Sequence, residues 1–85
     1  MEEKQIGEVS HYFGNISVGI IKITDNTLNI GDTIRIKGHT TDFQQQVESM
    51  QIEHDQVQKA KSGDVIGIKV KEHVREHDIV YKVIG

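Results

Sequence analysis

Every aliphatic residue of this chain is Ile or Val except Leu28 and Ala60. β-Branched side chains lose χ1 freedom on a helix but pack well on a pleated surface, so such a chain is driven toward strands. With 85 residues and no Cys, it has the means for one thin core held without disulfides, burying roughly 60 to 65% of its unfolded surface. Residues 1–85 therefore read as a single all-β domain.

Turn chemistry divides the chain into six extended segments. The first is Gln5 to Phe13, with Val9 and Phe13 expected on the core face; Gly14-Asn15 then suits a tight hairpin because both residues tolerate positive φ. In Ile16 to Thr24 two apolar phases compete, Ile16, Val18 and Ile20 against Ile21 and Ile23. Either the strand bends at Gly19 or it is covered on both faces, and the bend is the favoured expectation. Leu28 and Ile30 are expected to plug one end of the core.

Thr33 to Lys37 alternates strictly, Ile34 and Ile36 inward and Thr33, Arg35 and Lys37 outward. Phe43 to His54 reads as one long strand with a one-residue bulge near Glu48-Ser49, which returns Val47, Met50 and Ile52 to the core. Asp55 to Ser62 reads as a connection. Val65 to Lys71 sends Ile66, Ile68 and Val70 inward, and Ile79 to Ile84 closes the domain after a charged loop.

Three strand starts share one pattern: Gly31-Asp32-Thr33-Ile34, Gly63-Asp64-Val65-Ile66 and His77-Asp78-Ile79-Val80. Gly supplies an unusual φ and Asp accepts from nearby backbone N–H groups, so each reads as a turn. His77 stands where the other two have Gly, and His is among the residues that accept positive φ.

In order, Leu28 to Gly38, Val47 to Gln51, Ala60 to Ile68 and His77 to Val80 resemble the corresponding segments of the EF-Tu domain 2 family, with Gly7 to Val9 as its opening. The resemblance spans nearly the whole chain. It implies a six-stranded Greek-key β-barrel, which in translational GTPases contacts the aminoacyl end of tRNA, ribosomal RNA or neighbouring domains. The expected role is thus a non-catalytic binding module for tRNA, ribosomal RNA or a translation factor. The alternative is a docking module for an enzyme or other protein partner, with no nucleic-acid role.

For the nucleic-acid role, the candidate site is an outward basic stripe of Lys22, Arg35, Lys37, Lys69 and Lys71; Tyr12, displayed beside or across from His11, is a candidate to stack on a base or to anchor a protein partner. The net charge of −3 supplies no long-range attraction to a polyanion, so any such contact depends on that local stripe.

Several chemistries are not expected. No Gly-x-x-x-x-Gly-Lys-Ser/Thr loop is present, so GTP has no cradle. Ser10, Ser17, Ser49 and Ser62 lack a nucleophile-elbow context, so no enzyme is expected. His73 and His77 are four apart, a spacing that shares a face only on a helix, and their segment reads as a loop; no metal or other cofactor is expected. No apolar run approaches the ~18 residues of a membrane span, and no signal peptide is evident, so the cytoplasm is the expected location.

Overall fold

The computed structural model describes residues 2–84, and within them every regular element is a strand. In chain order these are β1 (Glu2–Phe13), β2 (Val18–Ile23), β3 (Thr27–Asn29), β4 (Thr33–Lys37) and β5 (Asp42–Gln46). They continue with β6 (Met50–Ile52), β7 (Asp55–Val57), β8 (Lys59–Lys61), β9 (Val65–Lys69) and β10 (Ile79–Ile84). The all-β expectation holds, and no helix among the described residues is long and apolar enough to cross a membrane.

Eight strands form one antiparallel sheet in the order β5-β4-β10-β1-β2-β9-β6-β7, and β3 pairs with β8 apart from it. Side chains from both ends of this order, Phe43 and Val47 beside β4 and Met50 on β6, share a single buried cluster with Ile6, Val9, Ile21 and Ile34. The sheet must therefore curl around that core. Its ladder nevertheless has two ends, β5 and β7, so the expected closed six-stranded barrel is corrected to an open, curled sheet.

Two local features depart from the sequence expectation. The expected single strand Phe43 to His54 is broken rather than bulged. β5 stays with β4 through Gln46, and Val47 is then held by Gly31 and Asp32, its carbonyl accepting from Gly31 N–H and its N–H donating to Asp32 O, both at 2.8 Å. The chain next crosses to place β6 beside β9, where Gln51 faces Gly67. Val47 and Met50 are both buried, so the core positions are as expected although the strand is not continuous.

The second feature is a bulge in β1. Its register with β2 shifts between Val9 and His11, leaving Ser10 as the extra residue. A one-residue insertion exchanges the faces beyond it. Val9 is buried as expected, but Phe13 is turned to solvent and Tyr12 instead packs against the core.

The three repeated turns form as the sequence predicts. The N–H groups of Asp32, Asp64 and Asp78 donate to the carbonyls of Asn29, Lys61 and Arg75, at 3.0–3.1 Å. Each Asp carboxylate accepts in return from the N–H of that same residue, at 2.8–2.9 Å. Gly31, Gly63 and His77 sit at φ of 95°, 97° and 74°.

Candidate functional site

Strands β2 and β9 pair without interruption from Val18 opposite Lys69 to Lys22 opposite Val65. The expected bend at Gly19 is absent; Gly19 faces inward against Val74 and Val70. Alternation then sends Ile21, Ile23, Ile66 and Ile68 to the core, and Val18, Ile20, Val65 and Gly67 to the opposite face. That face carries aliphatic side chains which no other element fully covers.

The bulge at Ser10 and the turn after β1 add Phe13 and Ile16 to the same face. Phe13, Ile16 and Val65 are 46%, 59% and 49% exposed, unusually open for large apolar residues on so small a domain. Together with Val18, Ile20 and Gly67 they line a groove of about 340 Å³, whose other wall is Gln51, Glu53 and His54. A mostly apolar concavity with a few polar groups at its rim is suited to receiving apolar side chains of a partner.

Around the loop before β10 lies a second, more polar cluster. Tyr12 stacks against His73 with ring centroids 4.4 Å apart, and His11 Nδ1 lies 3.5 Å from Glu76 while its ring meets the Phe13 edge at 4.6 Å. Tyr12, expected on display for base stacking, is thus half-covered by His73 and the core. Among the described residues no three His, Cys, Asp or Glu converge as metal ligands.

The basic residues proposed as a stripe are distributed over several strands. Arg35 and Lys37 lie on β4, which β10 and β1 separate from β2 in the ladder. Arg35 is already engaged: its Nε and Nη2 donate to Asp42 at 2.9 Å and its Nη1 to Glu3 at 3.2 Å. Those hydrogen bonds push the guanidinium pKa up and hold the Asp42 carboxyl below its ordinary value. Lys22 and Lys69 share the groove face, and Lys71 lies just past the end of β9.

The serine hydroxyls nearest the strands serve the backbone. Ser10 Oγ donates to Ile20 O at 3.3 Å and Ser62 Oγ to Thr24 O at 3.1 Å.

Sequence reasoning missed the groove because it assigned Ile16, Val18 and Ile20 to the core through the bend at Gly19. The available signal was the double apolar phase of β2, which marks a strand with apolar residues on both faces.

Comparison with known proteins identifies relatives of a different kind from those the resemblance implied. A family profile described as the β-domain of mechanosensitive ion channels matches residues 11–66. An uncharacterized protease of Methanocaldococcus jannaschii is 44% identical over 78 residues, 91% of this chain and 19% of that protein. A collagenase of Porphyromonas gingivalis is 38% identical over 82 residues, 95% of this chain and 23% of that protein. The chain thus spans about a fifth of the length of these curated relatives.

Among solved structures, the C-terminal domain of a Geobacillus thermoleovorans protein described as a U32 peptidase superposes with a TM-score of 0.88. It is 18% identical, with 95% of this chain and 93% of that chain covered, a likeness of fold.

These findings overturn the assignment to the EF-Tu domain 2 family, and with it the tRNA, ribosomal RNA and translation-factor role. The relatives that match nearly the whole chain are named as a protease and a collagenase. The residues that carried the earlier resemblance are those of the repeated Gly/His-Asp turns and the strands they start. Such residues specify chain reversals and say nothing of a ligand.

Proposed function

The chain belongs to the family described as the mechanosensitive ion channel β-domain, and from its relatives we propose that it serves as a non-catalytic docking domain of a U32-type peptidase. The observation that carries this reading is the exposed apolar groove of Phe13, Ile16, Val18, Ile20 and Val65. Its occupant is the rest of the peptidase polypeptide. In the curated relatives about four-fifths of the protein lies outside the matched segment, so a domain of this kind has a large polypeptide beside it to dock against.

The absence of catalysis is part of the proposal. Ser10 and Ser62 spend their hydroxyls on backbone carbonyls. The groove itself offers Glu53 and His54 but otherwise apolar or amide side chains. A hydrolytic site needs a nucleophile or activated water held by a positioned base, and the groove wall supplies surface for contact instead.

Calorimetric titration of this chain into the Porphyromonas gingivalis collagenase, prepared without its matching 82-residue segment, tests the reading. Saturable one-to-one binding with no peptidase activity in the chain alone is the expected result. Absence of binding, or peptide hydrolysis by the chain itself, contradicts it.

A further inference from the structure

Gly67 lies at the centre of the groove, and the backbone does not demand a glycine there. Positive φ among the described glycines occurs at Gly31 and Gly63. A Cβ placed on residue 67 would meet Ile20 Cδ1 and Val18 Cγ1 at 3.5 Å, an ordinary contact. What the glycine does is leave the floor open, so that a side chain arriving from outside can reach the sheet between Ile20 and Gln51.

The charges around that opening are placed symmetrically. Ile20 is the ladder partner of Gly67, Lys22 that of Val65 and Val18 that of Lys69. Ladder partners project from one face, so Lys22 and Lys69 both stand on the groove face, each two rungs from Gly67 and on opposite sides of it. Among the described residues neither ammonium forms an ion pair; Glu8, cross-strand from Lys22, lies outside ion-pair distance. Glu53 lines the far wall and repels further carboxylates there.

We propose that the groove recognises an extended segment of the peptidase with the pattern carboxylate, any residue, apolar residue, any residue, carboxylate. The apolar side chain sits over Gly67 and the carboxylates reach Lys22 and Lys69. The spacing follows from strand geometry: same-side residues of an extended segment are two apart, and the four-residue span of about 13 Å matches the separation of the two lysine rungs. This inference rests on the docking role and names the chemistry of its occupant.

The test titrates the full 85-residue chain, labelled with 15N, with the blocked peptide Glu-Ser-Leu-Ser-Glu. The controls are Lys-Ser-Leu-Ser-Lys and Glu-Ser-Ser-Ser-Glu. The acidic leucine peptide should shift the amide signals of Ile20, Lys22, Gly67 and Lys69, and bind about tenfold more tightly than either control. Gly67→Val should weaken it about tenfold, and the exposed double variant Lys22→Glu with Lys69→Glu should transfer the preference to the basic peptide.

Equal binding of the three peptides overturns the pattern, as does undiminished acidic-peptide binding by the charge-reversed variant. If selectivity fails while the collagenase remainder still binds, this recognition pattern falls and the docking role stands. If the remainder fails to bind while peptide selectivity persists, the docking role falls, and with it the peptidase as the source of the segment, while the groove's preference for the acidic apolar pattern stands.

Discussion

Lys71 N–H donates to Gln45 Oε1 at 2.8 Å, and Gln45 Nε2 donates to Lys69 O at 2.8 Å. One buried side-chain amide on the edge strand β5 thus supplies the donor and acceptor that a neighbouring strand would offer, across the place where the ladder is open. Gln45→Ala leaves both backbone groups of the β9 end without their partner in a part-buried site. A cost of about 1–3 kcal/mol in chemical denaturation is expected. Gln45→Glu retains an acceptor but, when ionised, presents a second acceptor to Lys69 O. Burial and that repulsion raise the introduced carboxyl's folded-state pKa, so this variant should gain stability as pH falls from about 7 to about 4. A variant as stable as the parent at neutral pH would show that the seam is held by other contacts.

Gly38 and Asp78 form a second coupled pair. Asp78 is buried, accepts from Arg75 N–H at 2.9 Å, and lies where a Cβ on residue 38 would overlap its carboxylate. Gly38→Ala should destabilise by about 2 kcal/mol, and Asp78→Ala by about 1–2 kcal/mol. The double variant should cost less than the sum, because removing the carboxylate vacates the space that the new methyl needs. Additivity in urea unfolding would contradict this geometry.

His77 holds φ at 74° in the turn position that glycine occupies in its two counterparts. His77→Gly removes a backbone strain of about 1–2 kcal/mol but adds unfolded-state entropy, so a net gain of about 0.5 kcal/mol is expected. His77→Val, β-branched at positive φ, should lose more than about 1 kcal/mol. Thermal midpoints of the two variants against the parent decide the point, and a midpoint raised by valine would refute it.

The Arg35 and Asp42 pair predicts a pH dependence of definite sign. Arg35 donates two hydrogen bonds to Asp42 and holds its carboxyl below the ordinary value in the folded state. A depressed carboxyl pKa contributes stability above the unfolded-state value, and that contribution is lost as pH falls through the lowered folded-state value. The pair is exposed, so the effect is small and should shrink further in concentrated salt. The parent should lose stability on acidification more steeply than Asp42→Asn. Parallel curves for the two proteins would show that the pair contributes nothing to stability.

The legible parts of this fold were those whose signal is local. The Gly/His-Asp turns carry their own φ and hydrogen-bond chemistry, and Ile34 and Ile36 alternate cleanly within one uninterrupted strand. What escaped depends on partners distant in sequence. A single extra residue at Ser10 exchanged the faces of Tyr12 and Phe13, and nothing in His11 to Phe13 announces that shift. Strands β3, β7 and β8 have three residues each, too few for a period to be read. Val47 out of phase with Met50 fits one bulge or a crossing to another strand equally well; the structure takes the crossing.

The site was less legible than the fold for the same reason. Charge and aromaticity drew attention to Arg35 and Tyr12, yet Arg35 is occupied by Asp42 and Glu3, and Tyr12 by His73. The groove is built from Ile and Val residues that in sequence are indistinguishable from the core. Only the unbroken pairing of β2 with β9 shows that one of their two apolar faces lies outside.

Docking through that face depends on its exposed apolar side chains, and Ile16→Asp combined with Val65→Asp removes two of them. Both side chains are about half exposed, so their replacement should leave the unfolding free energy within about 0.5 kcal/mol of the parent. Sedimentation of the collagenase remainder with each protein then gives the answer. The parent chain should form a complex, and the double variant should associate about a hundredfold more weakly. An equally stable complex formed by the double variant would contradict docking through this face.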